Sequence, residues 1–484
     1  MAPAADPLTP IDAIAGIIEG TRRAFESGRT RTPEWRVSTL HAIRAGLVEH
    51  ERSLEAALAA DLGKPALETF ATEIGFTLGE IDHALANLGG WMAPRRVPTP
   101  LTLEPGSSRI VAEPLGVVAV IAPWNYPVQL TLGPMVAAVA AGNAVVAKPS
   151  ELTPEVDAVL ARLIAGLNEP AIASVHGGVA ESTELLAQRF DHIFYTGNGR
   201  VARVVMRAAA EHLTPVTLEL GGKSPAIVSR HANIELAAKR IAWGKFLNAG
   251  QTCIAPDHVL VDTTVHDQLV TALADAVRDF YGADPAASPD YARIVNDAHF
   301  HRLEKLLHAG DIVVGGGADP DRRYIAPTVI AGVHRDDPVM GEEIFGPILP
   351  VLAIDSIDEA IAAITAGDKP LALYAFSEDD DEIDRIVSGT SSGGVCVNGT
   401  LMQVSNPHLP FGGVGPSGTG AYHGRHGFDA LSHHKAVYTR STRLDPPLLY
   451  PPYTATQAKM IRIGLGLPDP RDLVAGLRNR LRRN

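Results

Sequence analysis

Two side chains in this sequence could carry covalent chemistry, those of Cys253 and Glu219. Cys253 is one of two cysteines in 484 residues and follows a short loop, residues 248–252. A thiol has an ordinary pKa of about 8.5 and attacks as the thiolate, so it needs activation. Glu219 ends an alternating run and precedes a Gly-Gly pair, which predicts a strand that stops at a tight turn. We therefore interpret Cys253 as a nucleophile and Glu219 as the general base that activates water.

Each residue alone has a simpler interpretation, because most Glu side chains are solvated and a free Cys is more often a small buried hydrophobe. Further motifs accompany the pair: ELGGKSP at 219–225, GQTC at 250–253, PWNYP at 123–127, KPSE at 148–151, YTGN at 195–198, EEIFGP at 342–347 and LPFGGVGPSG at 409–418. In this order and spacing the motifs resemble those of the aldehyde dehydrogenase superfamily. The class 3 branch is resembled most in DLGKP at 61–65, TEIGF at 72–76 and AYHG at 421–424.

The resemblance implies that the chain oxidises an aldehyde to a carboxylic acid with NAD(P). Cys253 would attack the carbonyl to give a thiohemiacetal, hydride transfer would leave a thioester, and Glu219 would activate the water that hydrolyses it. Asn125 of PWNYP is then the side-chain donor to the oxyanion, with the backbone N–H of Cys253 as the second donor. The class 3 resemblance implies medium-chain aliphatic or aromatic substrates.

Three alternatives stay open at this point. The chain could act on a semialdehyde, or it could pass its thioester to coenzyme A instead of water, although an intact Glu219 argues against the latter. It could also be a non-catalytic binding protein that keeps the fold, because fold alone does not dictate function. The presence of Cys253, Glu219 and Asn125 together opposes this last interpretation.

The cofactor is expected where apolar strands end. The strand pattern at 192–195 runs into Thr196, Gly197 and Asn198 and then into a helical pattern, which places a helix N-terminus near a phosphate. By resemblance this is the phosphate turn of the family. The full set of expected cofactor contacts is Ile121, Pro123, Trp124, Lys148, Ser150, Glu151, Gly178, Thr196, Gly197, Asn198, Leu220, Gly221, Glu343 and Phe345.

The choice between the two nicotinamide dinucleotides depends on residues 148–151. Glu151 can accept hydrogen bonds from ribose hydroxyls, which favours NAD, whereas Lys148 could neutralise the 2′-phosphate of NADP. We expect NAD, with NADP as the alternative. The resemblance implies in addition that Glu343 holds the nicotinamide ribose and that Phe345 packs at the ring.

Three positions depart from patterns that are frequent in the resembled family. Ala202 stands where a second glycine is common in the phosphate turn. Pro134 stands where many members have a lysine, and Gly420 where many have an acidic residue. The class 3 branch shares the last two departures, so the resemblance implies that Glu219 acts without these helpers.

Composition limits the remaining classes of function. With 42 basic and 55 acidic residues the net charge is −13, which disfavours binding to nucleic acid because that binding requires phosphate neutralisation. Two cysteines in a chain of this length indicate a reducing compartment, and the opening residues lack a secretory pattern, so we expect a cytoplasmic protein. Histidines at 423, 426, 433 and 434 have no cysteine nearby, and we expect no metal site.

Strand and helix patterns alternate from residue 116 onward, which predicts an α/β fold with a doubly wound, Rossmann-like cofactor domain and an α/β catalytic domain. Expected strands of the first sheet lie at 116–121, 144–147, 173–176 and 192–195, and those of the second sheet lie near 260, 312–314, 349–354, 371–376 and 394–398. Two helices precede them, one capped by Thr9 and beginning at Pro10, and one from about Pro33 to Ala60.

A Pro-rich stretch at 97–114 is a surface loop or hairpin, and the resemblance implies an oligomerisation arm and a homodimer. The expected domains are 1–96 and 116–218 for NAD(P) binding, 219–412 for catalysis, 97–115 and 430–445 for the arm, and 446–484 for a tail. The end of this tail could form a short basic amphipathic helix around 473–483. Docking on a subunit is the favoured role for that helix, and peripheral membrane contact is the alternative.

Overall fold

The computed structural model of the protein describes residues 8–445 and 447–467. The chain divides into two compact units. Of the described residues, the first unit contains 8–91 together with Pro114–Ser432, and the second contains Met92–Glu113 and those from His433 to 467.

In chain order the α helices are α1 Ile11–Glu26, α2 Pro33–Glu49, α3 Glu51–Leu62, α4 Ala66–Thr69, α5 Gly75–Met92, α6 Pro127–Ala141, α7 Pro154–Gly166, α8 Val179–Ala187, α9 Gly199–Ala210, α10 Ile234–Phe246, α11 His266–Tyr281, α12 Asp297–Glu304, α13 Ile357–Ala366, α14 Asp380–Gly389, α15 Gly424–Ala430 and α16 Ala455–Gly464. A π-helical turn, Phe70–Ile74, joins α4 to α5.

The strands are β1 Arg95–Val97, β2 Gly106–Pro114, β3 Val117–Ile121, β4 Ala144–Lys148, β5 Ile172–Ser174, β6 His192–Thr196, β7 Val216–Glu219, β8 Pro225–Val228, β9 His258–Asp262, β10 Asp311–Val314, β11 Ala318–Asp319, β12 Tyr324–Ile325, β13 Thr328–Ala331, β14 Ile348–Ile354, β15 Ala372–Phe376, β16 Gly394–Val397, β17 Gly418–Thr419 and β18 Ser432–Arg440.

The first sheet of the larger unit has the strand order β17-β7-β6-β3-β4-β5, in which all strands except β17 are parallel. Every residue of β3, β4 and β6 is buried, as is typical of strands covered by helices on both faces. The order reverses between β3 and β6, so a crevice forms there at the carboxyl ends of the strands. The expected doubly wound sheet is therefore confirmed.

The second sheet of this unit has the order β10-β13-β14-β9-β8-β15-β16 and is parallel except for β10, which runs antiparallel to β13. The sequence did not lead us to predict β8 and β13. Each has only four residues, and β8 begins with Pro225, which is tolerated only as the first residue of a strand or at an edge. Short strands between turns leave little periodicity to detect.

Two predictions for the N-terminal helices were wrong. The helix expected over 33–60 is two helices, because the chain leaves helical geometry at His50, whose ring Nδ1 lies 2.9 Å from the Gly46 carbonyl. Thr9 does not cap α1. Its hydroxyl instead accepts a hydrogen bond from the backbone N–H of His176 at 2.9 Å, which ties the N-terminal segment to the sheet beside β5.

The smaller unit contains the antiparallel pair β1 and β2, with β18 on the other side of β2. The hydroxyl of Tyr438 donates to the carbonyl of Leu103, and helix α16 packs on residues 101–103. We did not predict α16, because the prolines around 447–452 indicate only turns. The helix expected around 473–483 lies outside the described residues.

Within the described ranges, no helix has the length and apolar content needed to cross a bilayer.

Candidate active site

The side chains of Cys253 and Glu219 line the same cavity, which has a volume of about 270 Å³. Most of its wall is apolar. Apart from Cys253 and Glu219, its polar side chains carry mainly hydroxyl groups, together with the amide of Gln129. The apolar part of the lining includes Phe76, Leu130, Trp243, Leu247, Leu401, Met402, Phe411 and Tyr422. The polar part includes Thr72, Gln129, Thr196, Thr252 and Ser405. None of the lining side chains is cationic, and Glu219 is the one carboxylate among them.

Glu219 is the last residue of β7 and is 2% exposed. Neither carboxylate oxygen has a hydrogen-bond partner in the described part of the chain. Burial raises the pKa of Glu219 well above its usual range, because the charged form loses its hydration. A buried, unpaired carboxyl group that lines a cavity is a candidate for proton transfer.

Cys253 follows a short turn of left-handed backbone, with φ values of +51° at Asn248, +50° at Ala249 and +73° at Gly250. Burial raises the pKa of Cys253 to about 12, and the carboxylates of Glu343 and Glu219 act in the same direction. The free thiol is therefore protonated at neutral pH. Its attack on a carbonyl requires a group that takes up this proton.

Asn125 lies in the loop between β3 and α6 and is 3% exposed. Its Nδ2 donates to the carbonyl of Gln251 at 3.0 Å, so one of the two amide hydrogens is used there. The next residue, Tyr126, has its hydroxyl 2.6 Å from Thr252 Oγ1. These contacts join the Asn125 loop to the residues that directly precede Cys253.

The strands β3, β4 and β6 end side by side at Ile121, Lys148 and Thr196. Lys148 is buried, and its Nζ donates to Glu151 Oε2 at 3.1 Å and to the Pro149 carbonyl at 3.0 Å. The lysine and the acidic residue that we expected to compete for the ribose therefore form an ion pair with each other. Ser150, also buried, accepts a hydrogen bond from the N–H of Leu152, and Pro123 follows β3 in the neighbouring loop.

The turn after β6 has the features that a bound pyrophosphate and ribose require. Thr196 Oγ1 is buried without a partner among the described residues, so a hydroxyl remains available for a ligand. Gly197 donates its N–H to the Glu219 carbonyl at 2.9 Å, and Asn198 caps α9 by accepting from Val201 N at 3.0 Å. Gly178 is the N-cap of α8 after β5, and its backbone N–H donates to Glu181 Oε2 at 2.8 Å. Helix N-termini favour anions, so these residues fit a dinucleotide.

Glu343 and Gly221 are packed against each other. A Cβ at Gly221 would come within 2.3 Å of the Glu343 carboxylate, so a larger residue at this position would have to displace this carboxylate. Burial raises the pKa of Glu343 to about 8, opposed by a hydrogen bond from the Gly222 backbone. Leu220, between these glycines and Glu219, lines the cavity with Cys253.

Two of the expected cofactor contacts form an aromatic cluster. The ring of Phe345 meets the ring of Trp124 edge-on at a centroid distance of 5.4 Å. His299 lies 5.0 Å from Trp124 on centroids and was not expected from the sequence. Phe345 adopts a φ of +48°, which is uncommon for a bulky residue and is held here by its surroundings.

Sequence reasoning missed a polar cluster that lies against the Asn125 loop. Lys64 and Glu73 form an ion pair of 2.6 Å in which neither side chain is exposed. Both lie in motifs that were noticed only for their resemblance, DLGKP and TEIGF. Their spacing of nine residues across a turn gave no signal that the two charges meet.

Among the residues that the structure describes, no group of three or more His, Cys, Asp or Glu side chains is arranged to hold a metal ion. His423 stacks on Tyr422 at 4.2 Å between centroids, and its Nδ1 lies 3.3 Å from Glu80 Oε1. The two cysteines, Cys253 and Cys396, are both free thiols.

Comparison with known proteins gives a consistent result. Residues 10–437 match the model of the aldehyde dehydrogenase family. Human aldehyde dehydrogenase family 3 member B1 is 46% identical over 458 residues, which span 94% of this chain and 98% of that protein. Rat "aldehyde dehydrogenase, dimeric NADP-preferring" is 45% identical over 432 residues, which span 89% of this chain and 95% of that protein. A solved structure, "Substrate bound state of Staphylococcus Aureus AldH", has a TM-score of 0.91 at 46% identity and covers 94% of this chain and 99% of its own.

With the fold and the cavity, these matches define the class: the chain belongs to the aldehyde dehydrogenase family. Within that family it resembles the class 3 enzymes most. It is an NAD(P)-dependent dehydrogenase that oxidises aldehydes to carboxylic acids.

Proposed function

We propose that Cys253 is the nucleophile and Glu219 the general base of this oxidation. The observation that carries the proposal is their position on one mostly apolar cavity, in which the Glu219 carboxylate has no partner among the described residues. Burial raises the pKa of both groups, and a carboxylate that lines the same cavity as the thiol is a candidate to take up its proton.

Attack of the Cys253 thiolate on an aldehyde places a negative charge on the former carbonyl oxygen. Asn125 is the proposed side-chain donor to this oxyanion, because one of its two amide hydrogens is held by Gln251 and the other remains for a ligand. The backbone N–H of Cys253 is the proposed second donor. Loss of one such donor typically costs roughly 3–4 kcal/mol of transition-state stabilisation.

A bound nicotinamide dinucleotide supplies the hydride acceptor that turns the thiohemiacetal into a thioester. After Glu219 has released the thiol proton to solvent, its carboxylate activates water for hydrolysis of the thioester, which releases the acid and restores the thiol. The lining contains no cation that would recognise the phosphates of coenzyme A. We therefore favour water over coenzyme A as the acyl acceptor.

The proposed substrates are medium-chain aliphatic or aromatic aldehydes without a charge. An apolar lining stabilises such chains through desolvation, at about 25 cal/mol for each Å² of apolar surface. A semialdehyde would bring a carboxylate into a cavity that offers it no cationic partner. This argues against the semialdehyde alternative.

For the cofactor we infer that NAD and NADP are both accepted, with NAD preferred. Glu151 supports a preference for NAD, since its carboxylate would repel a 2′-phosphate and bond to a free hydroxyl. Its ion pair with Lys148 weakens this repulsion, which leaves NADP as a second cofactor. One relative is named as preferring NADP.

We infer a homodimer that forms through the smaller unit. Its sheet has β1 and β18 as edge strands, and exposed edges of this kind tend to pair with another chain. Leu101 is 74% exposed beside these strands, and one relative is named as dimeric. Light scattering coupled to gel filtration would test the dimer.

A cytoplasmic location stays a prediction from the sequence.

The activity and the role of Cys253 are tested together by NAD(P)H formation with benzaldehyde, hexanal and succinic semialdehyde. We expect turnover of the first two substrates by the wild type and none by Cys253→Ala. Cys396→Ala, which alters the other free thiol, is the matched control and should retain turnover. Activity in Cys253→Ala would contradict the proposal.

A further inference from the structure

A short stretch of chain, residues 64–73, contacts both loops that carry the proposed catalytic groups. We call it the 64–73 segment. Lys64, which is 1% exposed, donates from Nζ to Glu73 Oε1 at 2.6 Å and to the Asn125 carbonyl at 3.1 Å. The same ammonium group lies 4.2 Å from the centre of the Tyr126 ring. The charge of Lys64 is therefore surrounded by one carboxylate and by the Asn125 loop.

Glu73, the partner of this lysine, holds the helix that follows Asn125. Its Oε2 accepts from the backbone N–H groups of Val128 at 2.8 Å and Gln129 at 3.2 Å, in the first turn of α6. The N-cap of that helix, Tyr126, provides no side-chain cap of its own. Glu73 lies within the π-helical turn, a kind of irregularity that is frequent at functional sites.

Glu68, on the same segment, holds the other loop. Its Oε1 accepts from the backbone N–H of Asn248 at 2.7 Å, where the chain is left-handed. Asn248 in turn donates from Nδ2 to the Asn125 carbonyl at 2.8 Å. Burial raises the pKa of Glu68 to about 7, and the charge of Lys64 acts in the opposite direction. The ammonium group of Lys64 and the carboxylates of Glu68 and Glu73 thus converge on the Asn125 and Cys253 loops.

General stabilisation is a weak explanation for this arrangement. Well-packed apolar residues can usually replace a buried ion pair at no cost in stability, since the charges must be desolvated. Among the described residues, the side-chain hydrogen bonds of Lys64 and Glu73 outside their own pair, and the ring contact of Lys64, go to residues 125–129. Catalysis by a fixed amide donor depends on its position, and a displacement of about 1 Å can reduce a rate by about 100-fold.

We propose that the 64–73 segment is a clamp that fixes the Asn125 loop against the Cys253 loop. Lys64, Glu68 and Glu73 are its positioning residues, and they act by keeping the Asn125 amide aimed at the carbonyl that Cys253 attacks. The inference rests on the proposed roles of Asn125 and Cys253. It adds three ionisable side chains to the machinery, none of which needs to touch the substrate.

A double-mutant cycle tests the clamp. The paired change Lys64→Met with Glu73→Gln removes both charges together and keeps an acceptor oxygen for the first turn of α6. It is made in the wild type and in Asn125→Ala, and kcat with hexanal is measured in all four proteins. We expect the pair to lower kcat by about 10- to 100-fold in the wild type and by at most about twofold in Asn125→Ala.

A purely structural role would not produce this non-additivity. If the losses multiply, or if the pair leaves kcat unchanged while Asn125→Ala lowers it, the clamp is overturned and the proposed function stands. Full activity of Asn125→Ala would overturn the oxyanion role of Asn125 and the clamp with it. The control is Arg230→Met with Asp262→Asn, a pair with a 2.8 Å contact away from both loops, which should change kcat by less than about twofold.

Glu68 provides a second and milder test, in case the paired variant does not fold. Glu68→Met removes the acceptor of the Asn248 N–H, whereas Glu68→Gln keeps an oxygen at the same place. We expect Glu68→Met to lower kcat by about tenfold, Glu68→Gln to restore most of it, and the KM for NAD to stay unchanged in both. Equal kcat values for the wild type and Glu68→Met, with both proteins folded by circular dichroism, would overturn the role of Glu68.

Discussion

The hydroxyl of Tyr126 lies 2.6 Å from Thr252 Oγ1, and this contact joins the residue after Asn125 to the residue before Cys253. Both side chains are buried, at 6% and 7% exposure. Burial raises the pKa of the Tyr126 phenol well above its usual range, so the hydroxyl keeps its proton at neutral pH. The two loops that carry the proposed nucleophile and oxyanion donor are thus held together directly as well as through the 64–73 segment.

Tyr126→Phe should therefore slow turnover as well as reduce stability. The lost hydrogen bond should lower the free energy of unfolding by about 0.5–1.5 kcal/mol, and loosening of the loops should lower kcat by about tenfold. Tyr291→Phe is the matched control, because its buried hydroxyl donates to the Ile325 carbonyl at 2.9 Å rather than to either loop. Urea unfolding and steady-state kinetics of both variants would check this. Equal kcat values for the two variants would count against a role of Tyr126 in positioning.

Gly221→Ala should weaken cofactor binding. The new Cβ would come within 2.3 Å of the Glu343 carboxylate and would displace the residue that is expected to hold the nicotinamide ribose. We expect the Kd for NAD, measured by quenching of tryptophan fluorescence, to rise by at least about tenfold, which corresponds to 1.4 kcal/mol. Gly89→Ala, where a Cβ meets nothing within 4 Å in helix α5, should leave the Kd unchanged.

The stability of the protein should fall as the pH rises from about 5 to 8, partly through Glu343. Burial raises the pKa of Glu343 from 4.5 to about 8, so between these values the folded state binds a proton that the unfolded state releases. The free energy of unfolding therefore decreases with rising pH across this window. Glu343→Gln should have a flatter dependence of Tm on pH. Glu342→Gln, with a side chain that is 64% exposed, should follow the wild type, and identical slopes for all three proteins would contradict this prediction.

The efficiency of oxidation should rise with the length of an aliphatic aldehyde until the cavity of about 270 Å³ is filled. Each buried methylene contributes about 0.8 kcal/mol, which is about a fourfold increase in kcat/KM. Values of kcat/KM from propanal to octanal would check this. A profile that is independent of chain length, or a preference for succinic semialdehyde, would contradict an apolar substrate site.

Local signals in the sequence were sufficient for much of the fold. We predicted β3 closely from its apolar run, and α6 from the Pro and Gly residues at its ends. Each of these elements is specified by its own neighbours in the sequence. The four-residue strands β8 and β13 and the break at His50 were not predictable in this way. They depend on packing with distant strands and on a side-chain contact, which no local period encodes.

The residues of the candidate site also divide into those that the sequence indicates and those that only the fold brings together. Cys253 and Glu219 could be proposed from their types and settings, and resemblance added Asn125 and the cofactor contacts. The pairing of Lys64 with Glu73, and their contacts to the Asn125 loop, could not be predicted, because no local pattern indicates that the fold buries both charges together. The apolar lining of the cavity likewise comes from many separate segments, so no single stretch of sequence reveals it.

The most direct test of the proposed chemistry is intact-mass spectrometry of Glu219→Gln after incubation with hexanal and NAD. Without the base that activates water, the thioester should accumulate, so we predict one hexanoyl group per chain, located on Cys253, together with one equivalent of NADH formed in a burst. The Cys253→Ala/Glu219→Gln double variant should show neither. Undiminished steady-state turnover by Glu219→Gln with no acyl adduct would contradict the assignment of Glu219 and Cys253.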